Sequence, residues 1–425
     1  MPRFNSLTHW LSWQETLHPS KIDLGLERVA HVAGRMQLLA PAHGVITVAG
    51  TNGKGSSIAM LEAILLSAGY RTGCYSSPHL LRYNERIRIA GKEIEDATLC
   101  AAFDAADRAR GDTSLSYFEF GTLAALFIFS QSSLDIALLE VGMGGRLDAV
   151  NILDADAALV TAIDIDHSAW LGEDRDTIGR EKAGIFRTGR PAICSDPEPP
   201  ASVPQQAQML SARWYALGSE FNWTRSGQGW TWQTSGKVCE DLPKPALPGT
   251  HQLNNAAGVL MVLETLAERF PVPRTAIEQG LASVTLPGRC QVLPGAVESI
   301  LDVAHNPASA EKLAQLLRQR RTQGQTRLVL GMLNDKDVAT FTAMLTPVVD
   351  HWYLATLTGD RGLSAQDLYL QIHHHDIHGD MHGKPRQFPD VATAFRHAHA
   401  DAEEGDRVVV CGSFVTVAEA LACHV

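Results

Sequence analysis

Val45-Ile46-Thr47-Val48-Ala49-Gly50-Thr51-Asn52-Gly53-Lys54-Gly55-Ser56 decides how the chain is read. The first five residues, apolar or β-branched, predict a buried strand, and the apolar positions of 57–68 recur at helical spacing directly after the glycines. A glycine-rich turn between strand and helix suits a phosphate group. Its backbone N–H groups turn inward, the helix N-terminus adds partial positive charge, and Lys54 can reach the β- and γ-phosphates of a nucleotide. The stretch departs from the common G-x-x-x-x-G-K-[ST] form because Gly55 stands between Lys54 and Ser56. A structural turn that holds no ligand is the alternative reading.

Outward from this stretch, short apolar runs at 45–49, 72–76, 135–141, 157–163 and 191–194 alternate with helical patterns at 57–68, 118–130 and 177–186. That alternation predicts an α/β unit with a mostly parallel sheet covered on both faces. Residues 85–94 predict a β-hairpin, and the Trp- and Gly-rich segment 198–250 a small antiparallel elaboration. After a helical pair at 253–284, Leu286-Pro287-Gly288-Arg289 supplies a turn-prone joint. A second series of strands at 299–303, 327–330, 351–355 and 407–411 predicts a smaller, Rossmann-like α/β domain. The expected division is 1–287, an N-terminal domain holding the phosphate loop, and 288–425. Closure of the two about the joint is expected, to keep water from a reactive intermediate.

Composition narrows the function classes. A net charge of −11 over 425 residues argues against nucleic acid as a partner. The N-terminus has no basic region followed by an apolar one, and the longest apolar run, 123–129, is far below the ~20 residues that span a bilayer. No membrane association and a cytoplasmic location are expected. Seven cysteines, odd in number and without a C-x-x-C pair, read as reduced thiols. Nothing demands more than a monomer.

Several further residues carry chemistry. Glu140 ends an apolar strand, where ligands bind in open α/β sheets, and a buried carboxylate without a partner is costly. His167, after Asp164-Ile165-Asp166, is either a metal ligand or a hydrogen-bonded histidine at a strand end. Lys182 lies in the charged run Arg180-Glu181-Lys182, for which surface pairing is the default explanation. Asp302 and His305 sit in Leu301-Asp302-Val303-Ala304-His305-Asn306-Pro307, where a capping turn is the alternative to a nucleotide contact. The tract 373–382 is rich in histidine but without regular ligand spacing, and a solvated loop is its expected state.

Taken together, these segments resemble the folylpolyglutamate synthase and dihydrofolate synthase family, a branch of the Mur-type amide ligases. The likeness extends through Asp23-Leu24-Gly25-Leu26-Glu27-Arg28, Tyr75-Ser76-Ser77-Pro78-His79-Leu80, Tyr117-Phe118-Glu119, Leu139-Glu140-Val141-Gly142-Met143-Gly144-Gly145-Arg146-Leu147-Asp148-Ala149, Leu286-Pro287-Gly288-Arg289, Asp335-Lys336-Asp337 and Gly412-Ser413-Phe414. The resemblance implies a ligase that uses ATP and two Mg²⁺ ions to join L-glutamate to dihydropteroate or folate through an acyl phosphate. It assigns ATP to Asn52, Gly53, Lys54, Gly55, Ser56, Asn255, Arg289 and Asp302, and the metal to Ser77, Glu140, His167 and a carbamylated Lys182. Lys54, Lys182 and His305 would be catalytic. The pterin-bearing substrate would meet Asp23, Leu24, Gly25, Leu26, Ser116, Tyr117, Phe118, Glu119, Leu147, Asp148 and Ala149. Two rivals stand beside this reading. A cell-wall Mur ligase is expected to need a further N-terminal domain, for which the position of the phosphate loop leaves no room. A nucleotide-dependent switch protein would hydrolyse ATP without an acid and an amino acid.

Overall fold

The computed structural model describes residues 2–18, 20, 23–374 and 384–424. They form two compact units, Met1–Ala246 with Gln252–Thr285, and Leu247–His251 with Leu286–Val425.

The first unit is built on an eight-stranded sheet: β1 (Gly44–Ala49), β2 (Thr72–Tyr75), β3 (Ile87–Ile89), β4 (Lys92–Glu93), β5 (Ile136–Glu140), β6 (Ala157–Val160), β7 (Pro191–Cys194) and β8 (Arg213–Ala216), in the spatial order β4-β3-β2-β5-β1-β6-β7-β8. The pairings from β2 through β8 are parallel, and β3 and β4 add an antiparallel edge. Every residue of β1, β2, β5, β6 and β7 is buried, which is why these strands read as unbroken apolar runs. On one flank the core gathers Trp10, Phe103, Phe120 and Phe129.

Register places the functional ends. Val48 of β1 lies opposite Glu140 of β5, and Ala49 opposite Val160 of β6. The chain leaving β1, β5 and β6 therefore emerges at one edge of the sheet, the carboxyl edge.

The helix Lys54–Ser67 begins three residues earlier than its apolar spacing predicts, because Gly53, at φ +98°, lets the turn run straight into it. It packs against the helix Arg274–Ser283. A side chain on Gly280 would come within 2.6 Å of the Ile64 backbone, so only glycine admits this approach.

Two expectations need correction. The segment 198–250 is not wholly antiparallel: it first forms the helix Ser202–Met209 and the parallel strand β8. Only then do β9 (Phe221–Ser226), β10 (Gly229–Thr234) and β11 (Val238–Leu242) make a three-stranded antiparallel sheet, with Trp230 and Trp232 buried. The histidine tract does not begin as a loop, since the helix Ala365–His374 includes its first two residues; 375–382 lie outside the described residues.

The second unit carries β12 (Gln291–Leu293), β13 (Glu298–Leu301), β14 (Thr326–Leu330), β15 (His351–Ala355), β16 (Arg386–Phe388) and β17 (Arg407–Cys411), in the order β12-β13-β17-β14-β15-β16. Only β12 is antiparallel. Among the described residues, no helix is long and apolar enough to cross a membrane.

Gly280→Ala is expected to destabilise the protein by about 1–3 kcal/mol, since the added methyl forces two helices apart. Urea unfolding followed by circular dichroism measures this; an unchanged midpoint would show that the helices yield without cost.

Candidate active site

The phosphate loop is tied down by hydrogen bonds within the protein. Thr51 N–H and Oγ–H donate to the carbonyls of Ala162 (2.8 Å) and Asp164 (2.9 Å), and Thr161 Oγ–H donates to Asn52 O at 2.9 Å. A Cβ on Gly50 would fall 1.8 Å from Thr161 Oγ1, and one on Gly53 2.6 Å from Asn255 Oδ1. Lys54 Nζ donates to Gly50 O (2.8 Å) and Thr51 O (3.3 Å), which holds the ammonium over the loop. Ser56 is buried and accepts from Gln252 Nε2 (3.3 Å), while Asn255 Nδ2 donates to Gln252 Oε1 (2.9 Å). The loop and Asn255 thus meet within the first unit. Thr161 and Gln252 escape sequence reasoning, because nothing in their spacing ties them to residues 50–56.

At the end of β5, Glu140 is buried, and one of its carboxylate oxygens accepts from Ser77 N–H at 3.3 Å. Ser77 follows β2, the neighbour of β5, so register brings the pair together. His167 adopts a left-handed backbone (φ +52°), and its N–H donates to the Asp166 carboxylate. A carboxylate and a hydroxyl suit a hard divalent ion completed by phosphate oxygens and water, and an imidazole adds a borderline nitrogen donor. Among the described residues, no three His, Cys, Asp or Glu side chains converge as a metal group. The expected set includes a serine and a lysine that must first be modified.

Lys182 is 3% exposed, on the inward face of the helix Arg175–Ala183, so surface pairing does not describe it. Its neighbour Glu181 takes that role with Arg146 at 2.8 Å. Burial, and next the charge of Lys54, lower the Lys182 pKa to about 7, against the pull of Asp166 and Asp148. Asp148 is buried too; burial raises its pKa to about 6, opposed by the N–H groups of Met143 and Val150 that it accepts.

The residues assigned to the pterin-bearing substrate all lie in this unit. Ser116 caps the helix Tyr117–Ser130 and exchanges hydrogen bonds with Glu119. Phe118 stacks on Tyr75 at 5.7 Å, and a side chain on Gly142 would strike its ring. Arg28 joins two of the segments, reaching the carboxylates of Asp23 (2.8 Å) and Glu119 (3.2 Å). The fragment Asp23-Leu24-Gly25-Leu26-Glu27-Arg28 contained it, but only contact distinguishes it. Asp148 caps the turn Ala149–Ile152. Leu24, Gly25, Leu26 and Leu147 lie in the connecting segments beside these anchors.

In the second unit, Asp302 follows β13 and accepts from the N–H of Ala304 (2.8 Å) and from the N–H and thiol of Cys290 (2.8 and 3.0 Å). Asn306 caps the helix Pro307–Gln319. The capping alternative therefore describes this turn. His305 Nδ1–H donates to Val303 O at 2.8 Å, so a neutral ring carries its lone pair on Nε2. The Arg289 guanidinium lies over Phe414 at 5.5 Å. His251 is held largely neutral, its pKa lowered to about 4, chiefly by burial.

A strand-loop-helix cradle for phosphate, with a buried carboxylate at the end of the neighbouring strand and a second α/β unit, is the build of a Mur-type ligase. The model of the Mur ligase middle domain matches residues 48–263, and that of the Mur ligase glutamate ligase domain matches 288–414. The chain is 47% identical over 415 residues to the dihydrofolate synthase/folylpolyglutamate synthase of Escherichia coli, covering 98% of this chain and 94% of that one. The corresponding protein of Mycobacterium tuberculosis is 32% identical over 96% of this chain and 91% of its own. Among solved structures, E. coli FolC in complex with DHPP and ADP superposes with a TM-score of 0.93 at 46% identity, covering 98% and 97% of the two chains. A bifunctional folylpolyglutamate synthase/dihydrofolate synthase with Mn, AMPPNP and L-glutamate bound gives 0.92 at 48% identity, with both chains covered in full. This chain belongs to the dihydrofolate synthase/folylpolyglutamate synthase family.

Carbamylation needs a neutral amine, and with a pKa of about 7 the neutral fraction of Lys182 rises from roughly a tenth at pH 6 to roughly nine-tenths at pH 8. Protein equilibrated with ¹³C-bicarbonate is expected to show a carbamate carbon resonance that grows over this interval and is absent from Lys182→Ala. A resonance that persists in that variant would place the modification elsewhere.

Proposed function

We propose that the protein is an ATP-dependent ligase that adds L-glutamate to 7,8-dihydropteroate, forming dihydrofolate, and to folate-type acceptors, extending their glutamyl chain. The observation that carries this is the hydrogen-bonded phosphate loop at the strand edge it shares with the Ser77–Glu140 pair, in the same unit as the Ser116–Glu119 cap. An acid must be activated before an amine can displace oxygen from it. An oxygen of the acceptor carboxylate attacks the γ-phosphorus in line, and ADP leaves. The amine of glutamate then attacks the acyl carbon of the mixed anhydride and expels phosphate.

Asn52, Gly53, Lys54, Gly55 and Ser56 are assigned to the phosphates, Lys54 offsetting the charge that spreads over the transferring group. Asn255, Arg289 and Asp302 are assigned to the rest of the nucleotide, and His305 to orienting phosphate or the incoming amino acid. Ser77, Glu140, His167 and carbamylated Lys182 would hold two Mg²⁺ ions, which supply charge neutralisation at the phosphates. Carbamylation suits Lys182, since it replaces a cation beside Lys54 by an anion. Residues 23–26, 116–119 and 147–149 are assigned to the pterin-bearing substrate. Residues 1–287 then form the nucleotide and pterin domain, and 288–425 the glutamate-ligase domain. The seven free cysteines favour the reducing cytoplasm, and a single chain is the working unit.

ADP release is expected only when ATP, an acceptor acid and L-glutamate are all present, with both dihydropteroate and tetrahydrofolate serving. An acceptor labelled with ¹⁸O in its carboxylate should deliver label to inorganic phosphate; unlabelled phosphate would refute the acyl phosphate. Lys54→Ala should lower kcat by on the order of 10²–10³. Retention of more than a tenth of the wild-type rate would remove Lys54 from the chemistry.

A further inference from the structure

Arg86 ends the 3-10 turn Tyr83–Arg86 that leads into β3. Two other arginines of this edge are matched to acids: Arg82 lies 3.6 Å from Asp96, and Arg88 lies 2.8 Å from Glu62. Arg86 is half-buried and pairs with no carboxylate among the described residues. Its neighbour Glu85 is occupied by the N–H groups of Leu80, Leu81 and Arg82, at 2.6 to 2.7 Å.

Three contacts hold the Arg86 guanidinium in place. Its Nε–H donates to His79 Nδ1 at 2.8 Å, and the group lies 5.1 Å from the centre of the Tyr83 ring and 5.6 Å from that of Tyr117. Because Nδ1 of His79 accepts, its proton sits on Nε2, a second donor in the same place. A cation partly withdrawn from water, oriented on aromatic faces and lacking an acid of its own, is a receptor for a carboxylate.

Its surroundings say which carboxylate. Tyr117 opens the helix that carries Phe118 and Glu119, and Ser77, two residues before His79, bonds to Glu140. Arg86 therefore belongs to the acceptor's part of the first unit, beside the activating centre. The two acceptor classes differ in the number of acid groups they bring. A pteroate-type acid has one carboxylate, which reacts. A folate-type acid ends in a glutamyl residue with two: one reacts, and the other stays ionised throughout. A fixed guanidinium suits the bystander, whereas pairing the nucleophilic carboxylate would draw off the electron density that its attack requires.

We propose that Arg86, with His79 Nε2–H, binds the non-reacting carboxylate of the terminal glutamyl residue, which makes Arg86 a specificity-determining residue for the chain-extending reaction. This rests on the proposed function, and that reading is checked first, by turnover of both dihydropteroate and tetrahydrofolate by the wild-type protein. Arg86→Gln is then expected to raise KM for tetrahydrofolate at least tenfold, with kcat within threefold, and to leave KM for dihydropteroate and for L-glutamate within twofold. Arg86→Lys should recover part of the loss. Wild-type protein given a tetrahydrofolate whose non-reacting glutamyl carboxylate is a carboxamide should show a similar rise in KM, and Arg86→Gln should be indifferent to that change. Equal rises for both acceptors, a rise for L-glutamate alone, or wild-type indifference to the carboxamide would each overturn the proposal.

Discussion

Thr161 stands where a side chain on Gly50 would begin, and the rest of the first unit's site is arranged around that closeness. With no Cβ in the way, the threonine hydroxyl reaches the carbonyl oxygens of Ala49 and Asn52, and residue 162 accepts the next amide of the loop. The loop is thereby fixed by the residues that follow β6, more than a hundred positions away in sequence. Because the loop's shape is set by hydrogen bonds within the protein, phosphate binding does not have to bear the entropy of ordering it.

A second constraint is electrostatic. Lys182 and Asp148 are buried, with Lys54 and Asp166, both half-buried, close enough to influence Lys182. Burial first, and then the like charge of Lys54, disfavour the Lys182 ammonium, and its pKa falls to about 7. That makes Lys182 chemically open at neutral pH in a way an exposed lysine is not. The same burial raises the Asp148 pKa to about 6, while backbone N–H groups hold its carboxylate in position.

The second unit repeats the strand-turn-helix arrangement without the glycine cradle. Asp302 accepts from Ala304 N–H, Asn306 from Ser309 N–H, and His305 Nδ1–H donates to Val303 O, so this turn fixes the direction of the imidazole. Structural capping and ligand contact are compatible here, since a turn that satisfies itself is also rigid.

The sequence by itself determined the parallel sheet, the phosphate loop and the emergence of Glu140, Asp302 and the residues before His167 at strand ends. It could do so because strands buried on both faces leave unbroken apolar runs, and a glycine-rich turn joining strand to helix leaves a local signature. The family, too, was legible, in motifs spread along nearly the whole chain. The parallel strand β8 and the helical start of the histidine tract were not, since polar Arg213 and a run of histidines carry no clear periodicity. Only the tertiary structure decided that Thr161 and Gln252 secure the loop, that Arg28 joins Asp23 to Glu119, and that Lys182 of a charged run turns inward while Glu181 turns out. Those facts depend on pairing between segments far apart in sequence and on which face of a helix is covered, and short-range spacing records neither.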